Sequence, residues 1–500
     1  MVKFMNSNIV LIISDTFRFD LLHERFEVKN NVRAKLKNLD RLCGDSIEFT
    51  RAYHASFPTV PNRADLLTGN FTFTCYDWSP LPRDWITLPM VLRKAGYVCM
   101  MVADTPHILK DGYNFDRGFD GWVWIRGQEN DRYRTSPANV KIPCSEWKLR
   151  NVETTIQHIR NNYGRRCEED WIPSKTALEA SRWLEENCER RFFLYVDFFD
   201  PHEPWDPPRW YIDMYDPGYE SEEVIYPAYG PCGYLTQEEL LHVRAIYAAE
   251  ATLVDRWIGF LLEKIEDLGL LDNTTIIFTS DHGFYLGEHG LVGKSIIMGG
   301  SQGFAPLYEE VAHIPLLIRF ADEMNLEGGT KIDALVQTPD ITATILEIAG
   351  MKGSAQIDVQ GKSLLPLVMR ETSEIRDLAV STPSLIRGIR AGLRATVTMG
   401  KWSLILAPET GESEPEKREV TFIVDGEPRT LKPFGKIATE LYNLKSDPKQ
   451  ERNLLTEEKD AARKIKERFI EFLSELNADK EIINQWLKCR GTSNTKQERR

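Results

Sequence analysis

A threonine, two aspartates and a histidine carry the candidate chemistry of this chain. Thr59 stands in Ser56-Phe-Pro-Thr-Val-Pro-Asn-Arg-Ala-Asp-Leu-Leu-Thr-Gly69, which sets a hydroxyl at the start of an expected helix and Arg63 one turn later. Asp15 follows an apolar run and opens Asp15-Thr-Phe-Arg18-Phe-Asp20. Asp281 and His282 follow another, in Thr279-Ser-Asp-His-Gly283. Carboxylate, hydroxyl and imidazole donors together suit one divalent cation. A cation at a threonine hydroxyl lowers its pKa and makes it a nucleophile at neutral pH. The positive end of a helix favours the alkoxide and any anion it attacks.

These residues need a scaffold that gathers strand ends. Ile9 to Ile13 is a continuous β-branched apolar run, as expected of a strand buried on both faces. Tyr97 to Val102, Phe192 to Phe199, Thr275 to Thr279 and Ile314 to Arg319 share that character. Helical patterns lie between them at Leu88 to Lys94, Lys175 to Asn187, Glu238 to Leu268 and from Thr338 to Gly350. Alternating strands and helices predict an α/β fold with a central, mostly parallel sheet flanked by helices. Ligand sites of such sheets gather at the carboxyl ends of the strands.

After about residue 375 the pattern changes to short strands and turns over Gly388 to Ala407, a charged loop at Glu412 to Arg418, a strand at Val420 to Val424 and a helix over Glu458 to Leu476. The expected organisation is a catalytic α/β domain over 1–375, a small C-terminal antiparallel-sheet subdomain with a helix over 376–490, and a disordered tail over 491–500.

The net charge of −13 repels nucleic acid and anionic membranes, so an anionic substrate needs a local cluster of cations. The eight cysteines show no zinc or redox spacing, and free thiols fit a reducing compartment. No stretch approaches the roughly 20 apolar residues of a membrane span. A soluble, cytoplasmic protein is expected, and its oligomeric state stays open.

The motifs gain weight from their order. Asp15, Thr59-x-Pro-x-Arg63, Pro-His202-x-Pro, Asp281-His282-Gly, Gly-Glu-His-Gly and Lys294 follow one another as they do in the sulfatase family of the alkaline phosphatase superfamily. The run Glu440 to Leu454 is similar to that family's closing motif, so the resemblance spans about residues 8–476. It implies that Asp15, Thr59, Asp281 and His282 hold the metal and that Thr59 is also the nucleophile. Arg63 would counter charge beside it, His202 would protonate the leaving oxygen, and Lys294 would hold the oxygens of the transferred anion. His289 and His313 could serve a second metal, but structural hydrogen bonding suits them better.

Three departures shape the expected reaction. Sulfatases convert Cys or Ser to formylglycine, but a threonine bears a methyl on Cβ and could give only a ketone, so no formylglycine is expected. A Thr59 ester must then be hydrolysed by water at its central atom. Next, Thr16 replaces the family's second Asp and His282 its frequent Asn, which favours Mn²⁺ or Zn²⁺ over Ca²⁺ or Mg²⁺. Whether Thr16 is itself a ligand stays open. Last, the family's lysine after Gly-Tyr is absent from Ala103-Asp-Thr-Pro-His107, and Thr105 or His107 is expected to face substrate instead. The leading expectation is a metal-dependent hydrolase of phosphate or phosphonate mono- or diesters acting on a small anionic ester. A sulfuric ester hydrolase using unmodified Thr, a phosphoryl transferase or mutase, and an inactive glycan-binding homologue are the alternatives.

Overall fold

The computed structural model describes residues 7–353, 357–387, 393–408, 419–424, 427–432 and 438–487. The expected tail and the loop at Glu412 to Arg418 lie outside them. The apolar run at Ile9 forms the strand Asn8–Ser14, buried at every position. Its side chains alternate between two separate cores. Val10 and Ile12 face one, while Ile9, Leu11 and Ile13 face the other, as the two-residue period of a strand requires.

That strand lies in the middle of an eight-stranded sheet. In spatial order the strands are Thr330–Gln337, Ile47–Tyr53, Leu316–Arg319, Thr274–Thr279, Asn8–Ser14, Phe192–Phe198, Val98–Ala103 and Gly121–Trp124. The five from Thr274–Thr279 onward are mutually parallel. Leu316–Arg319 runs antiparallel to both neighbours, so the sheet is mixed at that point. Asn8–Ser14, Phe192–Phe198 and Thr274–Thr279 therefore release Asp15, His202 and Asp281 at one edge of the sheet.

One face is covered by Ile172–Asn187 and by the 31-residue helix Gln237–Asp267, which begins in a reciprocal cap between Thr236 and Glu239. Thr59–Thr68, Leu88–Lys94 and Thr338–Ile348 cover the other. The strands Ile47–Tyr53, Thr330–Gln337 and Gly121–Trp124 are additions to the sequence reading. Their polar and glycine residues break the apolar run that marks a buried strand.

A second sheet contains Glu440–Asn443, Trp402–Leu406, Ala395–Met399 and Leu378–Pro383, with the helix Lys459–Glu475 packed against it. Its last strand is Ser56–Phe57, from the amino-terminal part of the chain, paired in parallel with Thr382 and Pro383. The C-terminal sheet thus grips the two residues that precede Pro58 and Thr59.

Candidate active site

Thr59 is the first residue of the helix Thr59–Thr68, and that helix is buried along its whole length. Pro58 caps it without spending a side chain, and among the described residues none hydrogen-bonds the Thr59 hydroxyl. The approach to Thr59 is pinned by Asp65. Its carboxylate accepts the Ser56 N–H at 2.6 Å, the Ser56 hydroxyl at 2.7 Å, the Thr72 N–H at 2.8 Å and the Thr72 hydroxyl at 2.6 Å. Asn62 Nδ2 donates to the Asp281 carbonyl at 3.1 Å and joins this helix to the neighbouring strand end.

Three carboxylates surround Arg63, which is wholly buried. Nε and Nη2 donate to the two oxygens of Asp197 at 2.8 and 2.9 Å, a two-point fork. Nη2 also donates to Asp15 Oδ2 at 3.3 Å, and Nη1 lies 2.9 Å from Asp281 Oδ2 without hydrogen-bond alignment. Asp197 further accepts the hydroxyls of Tyr195 and Thr105, each at 2.7 Å.

Asp281 Oδ1 is occupied by the N–H groups of Thr16 at 3.0 Å and His282 at 2.8 Å. Thr16 adopts a left-handed φ of 56° to make that bond, and its buried hydroxyl has no partner among the described residues. His282 Nδ1 donates to the Gly283 carbonyl at 3.0 Å, so Nε2 carries the lone pair. Lys294 Nζ sits 3.3 Å from that Nε2 and 3.8 Å from Asp15 Oδ1. It reaches in from the strand Leu291–Met298. The preceding Gly293 has a φ of 100°, and a Cβ there would stand 2.4 Å from the Tyr229 ring, so no larger residue fits.

The donor set fits a divalent cation. Asp15, Asp281 and His282 each offer a ligand atom, all within 4.8 Å of one another and all buried. Among the described residues Asp15 Oδ1 and Asp281 Oδ2 are buried without a hydrogen-bond partner, which is costly unless a cation takes them up. Burial and the neighbouring Asp281 push the Asp15 pKa well up. Burial also opposes Asp281 ionisation, but His282, Arg63 and Lys294 outweigh it and hold Asp281 below the usual carboxylate range. Burial and Lys294 keep His282 neutral, the form that binds metal.

Thr59, Lys294 and His202 line one cleft of about 860 Å³, together with Trp78, His107, Glu129, Arg150 and Phe304. The His202 ring stacks on Phe199 at 4.1 Å, and its Nδ1 donates to the Glu203 carbonyl at 2.6 Å, leaving Nε2 to face outward chemistry. Burial and then Lys294 lower its pKa well below the ordinary value. A bound anion offsets Lys294 and moves His202 towards its protonated form.

The structure therefore brings Asp15, Arg63, Asp281, His282 and Lys294 into direct contact, with Thr59 and His202 on the cleft that Lys294 enters. It separates the two substrate-binding expectations. His107 lines the cleft, 3.1 Å from Glu129. Thr105 is instead turned to Asp197, behind Arg63. Asp197 escaped the sequence reading, although a carboxylate inside the apolar strand Phe192–Phe198 was its visible signal. His289 stacks on Tyr308 and lies 3.3 Å from Glu310, while His313 stacks on Phe19 and meets Glu309 at 3.0 Å. Both stand in structural contacts.

Residues 7–351 match the family model described as Sulfatase. An arylsulfatase of Clostridium perfringens is 27% identical over 423 residues, covering 75% of this chain and 80% of its own length. Among solved structures, a phosphonate monoester hydrolase of Agrobacterium radiobacter superposes with a TM-score of 0.67 at 21% identity, covering 94% of this chain and 95% of its own. BT4656, in complex with D-glucosamine-2-N,6-O-disulfate, superposes with a TM-score of 0.68 at 19% identity over 95% and 99%. The last two likenesses are of fold.

Proposed function

The chain belongs to the sulfatase family of ester hydrolases, and we propose that it cleaves phosphate or phosphonate esters through a covalent Thr59 intermediate. One observation carries this reading: a threonine, which cannot become formylglycine, stands where the family resemblance expects the nucleophile, together with Asp15, Arg63, His202, Asp281, His282 and Lys294. The likeness to a phosphonate monoester hydrolase supports it. The arylsulfatase relative supports sulfuric ester hydrolysis by the same threonine as the second reading.

Asp15, Asp281 and His282 would hold the cation with Thr59. Bound there, it supplies the charge that lowers the pKa of the Thr59 hydroxyl and neutralises the ester oxygens. The mixed carboxylate and imidazole donors favour Mn²⁺ or Zn²⁺. Lys294 holds an oxygen of the transferring group. Arg63 keeps Asp15 and Asp281 in place through its contacts with both. His202 Nε2, once protonated, gives its proton to the leaving oxygen as Thr59 Oγ1 bonds the central atom. In the second half, water approaches from the same side, His202 takes its proton, and the bond to Thr59 breaks. A reducing, cytoplasmic location is proposed with it, supported by seven free cysteines among the described residues.

The test is a panel of p-nitrophenyl phosphate, bis-p-nitrophenyl phosphate, p-nitrophenyl phenylphosphonate and p-nitrophenyl sulfate with each of Mn²⁺, Zn²⁺, Mg²⁺ and Ca²⁺. The phosphorus esters should have the higher kcat/KM. Sulfate turnover above all three would replace this reading with the second.

A further inference from the structure

The segment Ile125-Arg-Gly-Gln-Glu129 is unused by the chemistry above, yet it delivers a carboxylate to the cleft. It leaves the edge strand Gly121–Trp124, and its end at Glu129 lines the cleft. Glu129 adopts a left-handed φ of 46°, a conformation most side chains avoid. Its neighbours hold it there. The Glu129 N–H donates to His158 Nδ1 at 3.2 Å, Gln128 Nε2 donates to Asp200 Oδ2 at 2.9 Å, and Asp131 takes the Gly127 N–H at 2.9 Å. Strained backbone of this kind concentrates at functional positions.

The two oxygens of Glu129 are not equivalent. Oε1 accepts from Arg150 and from the Tyr226 hydroxyl at 2.6 Å. Among the described residues Oε2 is buried without an aligned hydrogen-bond partner, and its one close polar neighbour is His107 Nε2 at 3.1 Å. Burial favours the neutral acid, but the His107 contact and the Arg150 charge outweigh it and hold Glu129 well below the usual carboxylate range. An ionised carboxylate is an acceptor only, so this oxygen wants a donor.

The remaining charges on this wall are already matched. Arg150 lies between Glu129 and Glu203, 2.8 Å from the latter, and Arg387 pairs with Asp77. The other cation lining the cleft, Lys294, stands beside the Thr59 end, 3.8 Å from Asp15 Oδ1.

We propose that Glu129 is the specificity-determining residue for the leaving group: its Oε2 accepts a hydrogen bond from a hydroxyl or contacts an ammonium on the alcohol half of the ester, and it rejects alcohols that carry a second anion. This rests on the assignment of the Thr59 end as the reacting end. The natural substrate is then an ester of a neutral hydroxyl-bearing or cationic alcohol.

The test uses phenyl esters with hydroxymethyl, trimethylammonium or carboxylate at the para position, made in whichever oxyanion class the enzyme turns over. The choice of class reports separately on the phosphorus-ester reading. For each ester, kcat/KM of the wild type is divided by that of Glu129→Gln, which cancels intrinsic leaving-group reactivity. This factor should be about tenfold larger for the hydroxymethyl and trimethylammonium esters than for the carboxylate ester. Tyr226→Phe, which keeps the carboxylate, should preserve the wild-type order. Equal factors for all three esters would overturn the proposal and leave Glu129 a structural residue. If none is hydrolysed, quenching of tryptophan emission by the three free phenols reads the same order, because Trp78 lines this cleft. Equal quenching curves for wild type and Glu129→Gln would again overturn it.

Discussion

Arg63 is held by Asp197 through a two-point fork at 2.8 and 2.9 Å, and it turns its remaining nitrogen towards Asp281. The guanidinium is thus anchored from behind by one carboxylate and spreads its charge over the two expected to hold the cation. Asp197→Ala would leave this buried cation short of an anion and should cost about 3–5 kcal/mol, read as a fall in the denaturant midpoint. Asp197→Asn keeps the shape but removes the same charge, so it should also be destabilising, and it should lower kcat/KM by about 10²-fold through misplacement of Arg63.

Thr59→Ala should keep the melting temperature and lose at least about 10³-fold in kcat, as removal of a nucleophile does. Thr59→Ser should retain turnover. Acid-quenched wild-type enzyme should gain the mass of the transferred group on the peptide that contains Thr59, and Thr59→Ala should not. A full adduct on the alanine variant would move the nucleophile elsewhere.

Because Asp15 binds its proton unusually tightly, a cation must displace that proton. Calorimetry in buffers of different ionisation enthalpy should show proton release on binding Mn²⁺ or Zn²⁺, with affinity rising with pH. Saturating cation should raise the melting temperature. Asp15→Asn and His282→Ala should weaken binding by about tenfold or more, and chelation should abolish turnover reversibly.

His54 is wholly buried, and neither ring nitrogen has a hydrogen-bond partner among the described residues. Burial lowers its pKa from 6.5 to about 4. Its folded-state pKa lies below the unfolded one, so its contribution is complete above pH 6.5 and is lost as pH falls towards 4. Cation-free protein should lose about 3 kcal/mol over that window. His54→Phe should flatten the slope of stability against pH there, and an unchanged slope would assign it to another group.

The Thr382 N–H donates to the Ala55 carbonyl at 3.0 Å, which fastens the C-terminal sheet to the chain just before Thr59. Thr382→Pro removes that donor. It should lower kcat more than it lowers stability, although residue 382 lies outside the matched family segment and away from the cleft. Equal activity per folded molecule would show that the sheet does not position the nucleophile.

Much of the sheet was legible because a strand buried on both faces is apolar along most of its length, as Ile9 to Ile13 and Phe192 to Val196 are. Ile47–Tyr53 and Thr330–Gln337 stayed hidden because they carry charged residues along their lengths, and their pairing is settled by partners hundreds of residues away. The pairing of Leu316–Arg319 in the opposite direction was equally invisible, since direction leaves no mark on composition.

Asp15, Thr59, Arg63, His202, Asp281, His282 and Lys294 stood out in the chain because each lies in a motif whose residue types suit a cation, a nucleophile or a proton donor. The methyl on Thr59 by itself closed the aldehyde route. Folding decided which groups act together. It put Asp197 behind Arg63, turned Thr105 away from the cleft, and brought Glu129 and Arg150 into its wall. These contacts join residues far apart in the chain, where spacing carries no information. A charge meets its partner only after the sheet has closed and water has left.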